Sequence, residues 1–178
     1  MTPEDSLSID SRLAVARVQS HAAVLRVREA LRVAGLTDTI IVMPKATHTA
    51  QAAADSLGCD VGEIAKSIIF RALDGRTVLV ITSGRNRVDD RKVVERLGQD
   101  IGKADAQFVL AHTGFVIGGV SPLAHLIPPI TLMDEDLFRY SCIWPAAGHP
   151  NTMFSTSPHD LARVTGAQVA DIAQKRIP

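Results

Sequence analysis

Lys66 is the most unusual charge in the chain. It sits in EIAKSIIFRA, with only Ser67 between it and three apolar residues, where a strand ought to be burying itself. A lysine there either snorkels to the surface or points into a cleft where a partner anion compensates it. The second candidate is Gly118-Gly119-Val120-Ser121-Pro122, inside HTGFVIGGVSPLAH. Glycines let a ligand approach the backbone closely and can turn amides toward a carbonyl or oxyanion. Pro122 stiffens the turn and biases Ser121 toward an extended conformation. The same run also suits a strand-ending bulge, and local grounds leave both readings open.

Two further places carry polar groups that chemistry can use. In His149-Pro150-Asn151-Thr152, the histidine suits a general base or a pocket wall and Asn151 offers both donor and acceptor. A plain turn built by Gly, Pro and Asn fits as well. His48 precedes a helix N-cap and there suits either a phosphate contact or a structural role. No GxSxG elbow, HExxH, Walker loop or dinucleotide glycine fingerprint is present. The six histidines are scattered and the two cysteines, Cys59 and Cys142, match no metal or redox spacing. The expectation is no metal, no cofactor and two reduced, mostly buried thiols.

Bulk properties bound the partners. The 178 residues suit one domain with a real core, and 46% apolar with 21% charged residues argues against disorder. Lys plus Arg equals Asp plus Glu, 19 of each. A protein that tracks a long nucleic-acid backbone usually carries a basic excess, so a short end or a single nucleotide fits this balance better than a long duplex. The N-terminus MTPEDSLSIDS has no apolar core of a secretory signal, and no apolar run approaches the ~20 residues of a membrane span. A cytoplasmic protein is expected, with no membrane association.

The elements that must position these residues are short. Residues 11–34 read as an amphipathic helix broken near Ser20 and His21 and stopped by Gly35. TIIVMP (39–44) reads as a strand, and Thr49 caps a helix closed by Gly58. IAKSIIFRA (64–72) and TVLVIT (77–82) form a hairpin around Asp74-Gly75. Asp89 or Asp90 caps a helix to about Leu97, and another helix covers 104–111 with Gly114 as its stop. Phe115–Ile117 reads as the opening of a buried strand. ITLMD, YSCIWPAAG and 152–155 read as strands, and Ser157 or Pro158 opens a last helix ended by Gly166. The pattern predicts a single-domain α+β fold, a curved mixed or mostly antiparallel sheet surrounded by helices.

THTAQAAADSLGCDVGEIAKSIIF, FVIGGVSPLAH and AGHPNTMF, in this order and separation, resemble the YbaK-like family of aminoacyl-tRNA deacylases, which includes the editing domain inserted in bacterial prolyl-tRNA synthetases. The resemblance covers roughly residues 20–172, and implies an extension over 1–19 followed by a deacylase domain over 20–178. It implies hydrolysis of the ester joining a wrong, small amino acid to the 3′-terminal adenosine of a tRNA. The family's pocket lysine falls on Lys66, which would hold polar groups at the acceptor end. Its GxxxP loop falls on Gly118–Pro122, whose amides would position the aminoacyl carbonyl. The polar position after the late strand falls on His149, with Asn151 as an alternative register. Catalytic roles are thus expected for Lys66, Gly118 and Gly119, and substrate contacts for His48, Val120, Ser121, Pro122, His149 and Asn151. Ala124 and His125 depart from what many relatives carry after the loop. The family has no obvious protein nucleophile, and water or the substrate's own hydroxyl or thiol attacks. With no fused synthetase domain, the chain is expected to act in trans on a tRNA acceptor end, alone or through an aminoacyl-tRNA synthetase. A non-catalytic module that binds tRNA ends or a nucleotide in the same pocket is the alternative.

Overall fold

In a computed structural model, residues 9–47 and 49–174 are described. The helices are α1 (Ile9–Gln19), α2 (Ala22–Val33), α3 (Ala50–Leu57), α4 (Asp90–Leu97), α5 (Ala106–Thr113) and α6 (Pro158–Thr165). The strands are β1 (Ile41–Val42), β2 (Ile64–Ala72), β3 (Thr77–Ser83), β4 (Ile101–Lys103), β5 (Ile130–Asp134), β6 (Trp144–Pro145), β7 (Thr152–Met153) and β8 (Gln168–Ala170). The helix break falls where His21 caps α2, its side chain accepting from the Ala23 amide. Side-chain oxygens likewise cap α3 (Thr49), α4 (Asp89), α5 (Asp105) and α6 (Ser157), satisfying amides that the first turn leaves free.

The main sheet has the order β4-β2-β3-β5-β8, with β6 also pairing β2. β2 and β3 form the expected hairpin, Lys66 opposite Thr82. The sheet is mixed because β3–β5, β5–β8 and β2–β6 run parallel, while β4–β2 and β2–β3 run antiparallel. β1 and β7 form a separate antiparallel pair. β3 is buried along its whole length, as a central strand covered on both faces must be. Its alternate residues feed two cores. Leu79 and Ile81 join Val27, Leu31, Phe115, Met133 and Leu161 on one side, and Val78 and Val80 join Val93, Leu132 and Ile172 on the other. α3 packs separately through Ala53 and Ala54 against Met43, Ile64 and Met153.

Three local expectations are corrected. Phe115–Ile117 is not a strand: Phe115 is buried, but Val116 and Ile117 are 51% and 62% exposed. What fixes this segment is Arg26, whose guanidinium donates to the carbonyls of Thr113, Gly114 and Ala124 and stacks 4.5 Å from the Phe115 ring centroid. YSCIWPAAG pairs in strand form only at Trp144–Pro145, with isolated bridges at Ile143 and Ala146. Pro145 has no amide with which to extend the ladder. TIIVMP shortens to Ile41–Val42. β4 and β8, three residues each, carry too little pattern to have been read as strands.

Candidate active site

The sequence candidates surround a recess of about 190 Å³ at one end of β2. Thr47, Thr49, Ala50 and Ala53 form one wall, and Ile64, Ala65, Lys66 and Ser67 of β2 form the floor. Gly118 and Val120 face it from the glycine loop, and Ala146, Pro150, Thr152 and Met153 complete it. Small side chains dominate, so the space suits a compact group. A wider groove lined by Thr49, Ala50, Gln51, Val61, Lys66, Gly84 and Arg85 adjoins it. Thr49, Ala50 and Lys66 belong to both, which puts the lysine at their junction.

Lys66 is half-buried and its Nζ donates to the Asn86 carbonyl at 2.5 Å. Burial holds its ammonium below the ordinary lysine range, Asp134 acts against that shift, and Arg87 adds to it. Asn86 is itself fixed: its side-chain amide donates to Asp134 at 2.9 Å and Asp136 at 2.8 Å. Asp134 is fully buried and also accepts from Thr82 Oγ1, the Ser83 amide and the Asp136 amide. Four donors satisfy that carboxylate, as a buried charge requires. The network links the end of β5 to the lysine through the 83–87 loop.

The glycine loop presents its backbone. Gly118 has φ of +92°, a conformation that side chains disfavour, and lies exposed beside Pro150. The amides of Gly118 and Val120 donate to no acceptor among the described residues. Gly119 donates to the Val116 carbonyl at 3.0 Å and turns away from the recess. A Cβ there would lie 2.8 Å from the main-chain carbon of His149, so glycine is required by close packing of two backbones. Ser121 and Pro122 are buried behind the loop. Ser121 Oγ accepts from the Leu123 amide, and its carbonyl receives Nε2 of His125 at 2.6 Å. That bond puts the His125 proton on Nε2, and burial holds the ring below the ordinary histidine range.

His149 and Asn151 flank the recess without lining it. Nδ1 of His149 accepts from the Asn151 amide at 3.2 Å, and the ring meets His21 edge-on, centroids 5.4 Å apart. Burial and His21 both lower its basicity. Between them Pro150 reaches the recess, and Thr152 follows. His48 lies outside the described residues, although its neighbours Thr47 and Thr49 line the recess. Sequence reasoning missed the wall residues Ala53, Ala146 and Met153, and reached Pro150 and Thr152 only as members of the 149–152 segment, without a role. The apolar spacing of α3 and the strand reading of 152–155 pointed near the others.

Neither thiol lines the recess. Burial and the Glu63 charge push Cys59 up to about 11, and burial raises Cys142 as well. Among the described residues no three His, Cys, Asp or Glu side chains gather as metal ligands, and no helix is long and apolar enough to cross a membrane. A larger polar cavity of about 410 Å³ opens beyond Asn86, but its cations are paired, Arg85 with Asp60, Lys92 with Asp171 and Arg139 with Asp136. It offers no uncompensated cation.

A recess lined partly by backbone, with a cation at its mouth, fits an editing domain. Residues 44–164 match the aminoacyl-tRNA editing domain, more than half of the chain, and the protein belongs to that family. The crystal structure of a candidate trans-editing enzyme for prolyl-tRNA synthetase superposes with a TM-score of 0.82 at 37% identity, covering 86% of this chain and 98% of that one. The chain is 26% identical over 128 residues to EbsC of Enterococcus faecalis (strain ATCC 700802 / V583), a candidate Cys-tRNA(Pro)/Cys-tRNA(Cys) deacylase, covering 71% of this chain and 78% of that protein. It is 29% identical over 121 residues to the uncharacterised protein YwhH of Bacillus subtilis (strain 168), covering 68% and 77%.

Proposed function

We propose that this chain is a trans-acting editing hydrolase, cleaving the ester between a small amino acid and the 3′-terminal adenosine of a mischarged tRNA. The observation that carries the reading is the position of Lys66, at the junction of a small-walled recess and an open groove. The amino acid enters the recess and the adenosine end lies in the groove, which puts the ester beside the ammonium. Lys66 holds ribose or phosphate oxygens. The unpaired amides of Gly118 and Val120 receive the carbonyl oxygen as it gains charge, and Gly119 sets their spacing against the 149–152 turn.

An aminoacyl ester is already activated, so positioning and oxyanion stabilisation suffice, and water supplies the nucleophile. Small walls reject larger side chains by overlap, the sieve that editing requires. A cytoplasmic location and an aminoacyl-tRNA synthetase as a further partner accompany this reading, and the likeness to a candidate trans-editing enzyme supports it. The test is hydrolysis of a panel of mischarged tRNAs by the purified chain. Cleavage of at least one small aminoacyl ester well above the spontaneous rate is expected. Binding of acceptor-stem RNA with no cleavage across the panel would favour a non-catalytic tRNA-end module.

A further inference from the structure

The floor of the recess is a sheet edge, and its polarity can be derived. Ala72 donates to the Arg76 carbonyl and the Ile64 carbonyl receives the Gly84 amide, both on the β3 side. Even-numbered residues of β2 therefore direct their main-chain N–H and C=O toward β3, and odd-numbered residues direct theirs away. On that outer side β6 pairs with β2 only at Ile64 and Ala65, and β4 only from Phe70 onward. Ser67 falls in the gap. Its outward N–H and C=O meet no partner among the described residues.

Residues of both faces of β2, Lys66 on one and Ser67 on the other, line the same recess, as they can only if it lies against the edge of the strand. The hydroxyl of Ser67 is also buried without a hydrogen-bond partner. Buried polar groups left open in this way are costly unless a ligand completes them.

We propose that the free edge of β2 at Ser67 is the subsite for the amino acid's own backbone, and that the enzyme requires a free α-amino group. This rests on the editing reading above. An α-amino ester presents an N–H donor and a carbonyl acceptor on either side of one carbon, as a strand residue does. Its amine donates to the Ser67 carbonyl and one lone pair of its ester carbonyl accepts from the Ser67 N–H, the paired exchange of an antiparallel ladder, which leaves the other lone pair to the glycine-loop amides. No carboxylate lines the recess among the described residues, so a main-chain carbonyl is the acceptor positioned for the amine. The side chain is left to the small walls, so recognition of "amino acid" and of "small" are separate.

The experiment compares one tRNA carrying two esters in single-turnover deacylation, alanyl and propionyl (alanine without its amino group), each relative to its spontaneous hydrolysis. Seryl and cysteinyl esters with their des-amino counterparts replace them if alanyl is the poorer substrate. The des-amino ester is expected to lose about 100-fold in enzymatic enhancement, because a site built for a donor rejects an analogue lacking it. Equal enhancement for both would overturn the inference while leaving the editing reading intact. No enhancement for any free-amine ester would instead overturn that reading. A second arm replaces the Ser67 amide by an ester linkage, introducing the α-hydroxy analogue of serine at that position. Since this N–H has no partner in the fold, the only native bond touched is the one accepted by the Lys66 carbonyl, weakened as an ester, so a small fall in melting temperature with about 10-fold lower kcat/KM is expected. An unchanged kcat/KM would contradict the proposal.

Discussion

Gly119→Ala adds one methyl group, and the structure says where it goes. The new Cβ would lie 2.8, 2.9 and 3.0 Å from the carbonyl carbon, Cα and nitrogen of His149. Carbon contacts are comfortable at ~3.5–4.0 Å, so one of the two backbones must retreat by about 0.5–1 Å. No flexible side-chain end is available to absorb the shift. Overpacking of this kind costs about 1–3 kcal/mol. The functional effect is larger, because the His149 carbonyl accepts from both the amide and the hydroxyl of Thr152, and Pro150 and Thr152 line the recess. A displacement near 1 Å in a positioning wall costs about 100-fold in rate.

Gly118→Ala is the control. Its φ of +92° makes a side chain strained, at about 1–3 kcal/mol, but the nearest atom to the new methyl is Pro150 Cγ at 3.8 Å. The two variants should therefore lose comparable stability in thermal melts, while only Gly119→Ala moves the 149–152 turn. Single-turnover deacylation is expected to fall further in Gly119→Ala than in Gly118→Ala. Wild-type turnover in Gly119→Ala would refute the argument that the two backbones set the site.

Two other perturbations probe the supports. Asn86→Ala removes one of the donors to buried Asp134 and frees the loop whose carbonyl holds Lys66; a stability loss of about 1–3 kcal/mol is expected, with a fall in kcat that exceeds any change in acceptor-stem RNA affinity. Equal turnover in that variant would detach the network from the lysine. His125 is held below its ordinary pKa of about 6.5 by burial, with nearby Arg26 adding to the effect. The unfolded chain then takes the proton first, so the stability from neutral His125 is complete above about pH 6.5 and declines as pH falls through the lower folded value. Melting temperatures at pH 7.5 and 5.5 should differ less in His125→Gln than in the wild type, and an identical acid loss would remove this residue from the account.

The hairpin and most helix caps were legible because each rests on short-range rules. Thr49, Asp89 and Ser157 announce helix starts through their own side chains, and Asp74-Gly75 announces the turn. The parallel pairings of β3 with β5 and of β5 with β8 were not, since they join segments with long connections and β8 has only three residues. Phe115–Ile117 misled because three apolar residues read alike whether buried or exposed, and the deciding partner is Arg26, some ninety residues earlier. In the site, Lys66 and the glycine loop could be singled out by residue type. That Gly119 faces a backbone, that Pro150 reaches the recess while His149 turns to His21, and that Ser67 lies on an open edge all depend on packing between distant segments.

The most direct measurement is the single-turnover deacylation rate of Lys66→Ala on the mischarged tRNA that the wild type cleaves best, alongside its melting curve. The Lys66 side chain is half-buried and its one hydrogen bond among the described residues is to a main-chain carbonyl, so its loss leaves the core and the Asp134 network in place. The account predicts a folded variant with deacylation reduced by about 100–1,000-fold. A folded variant that clears the ester at the wild-type rate would contradict it.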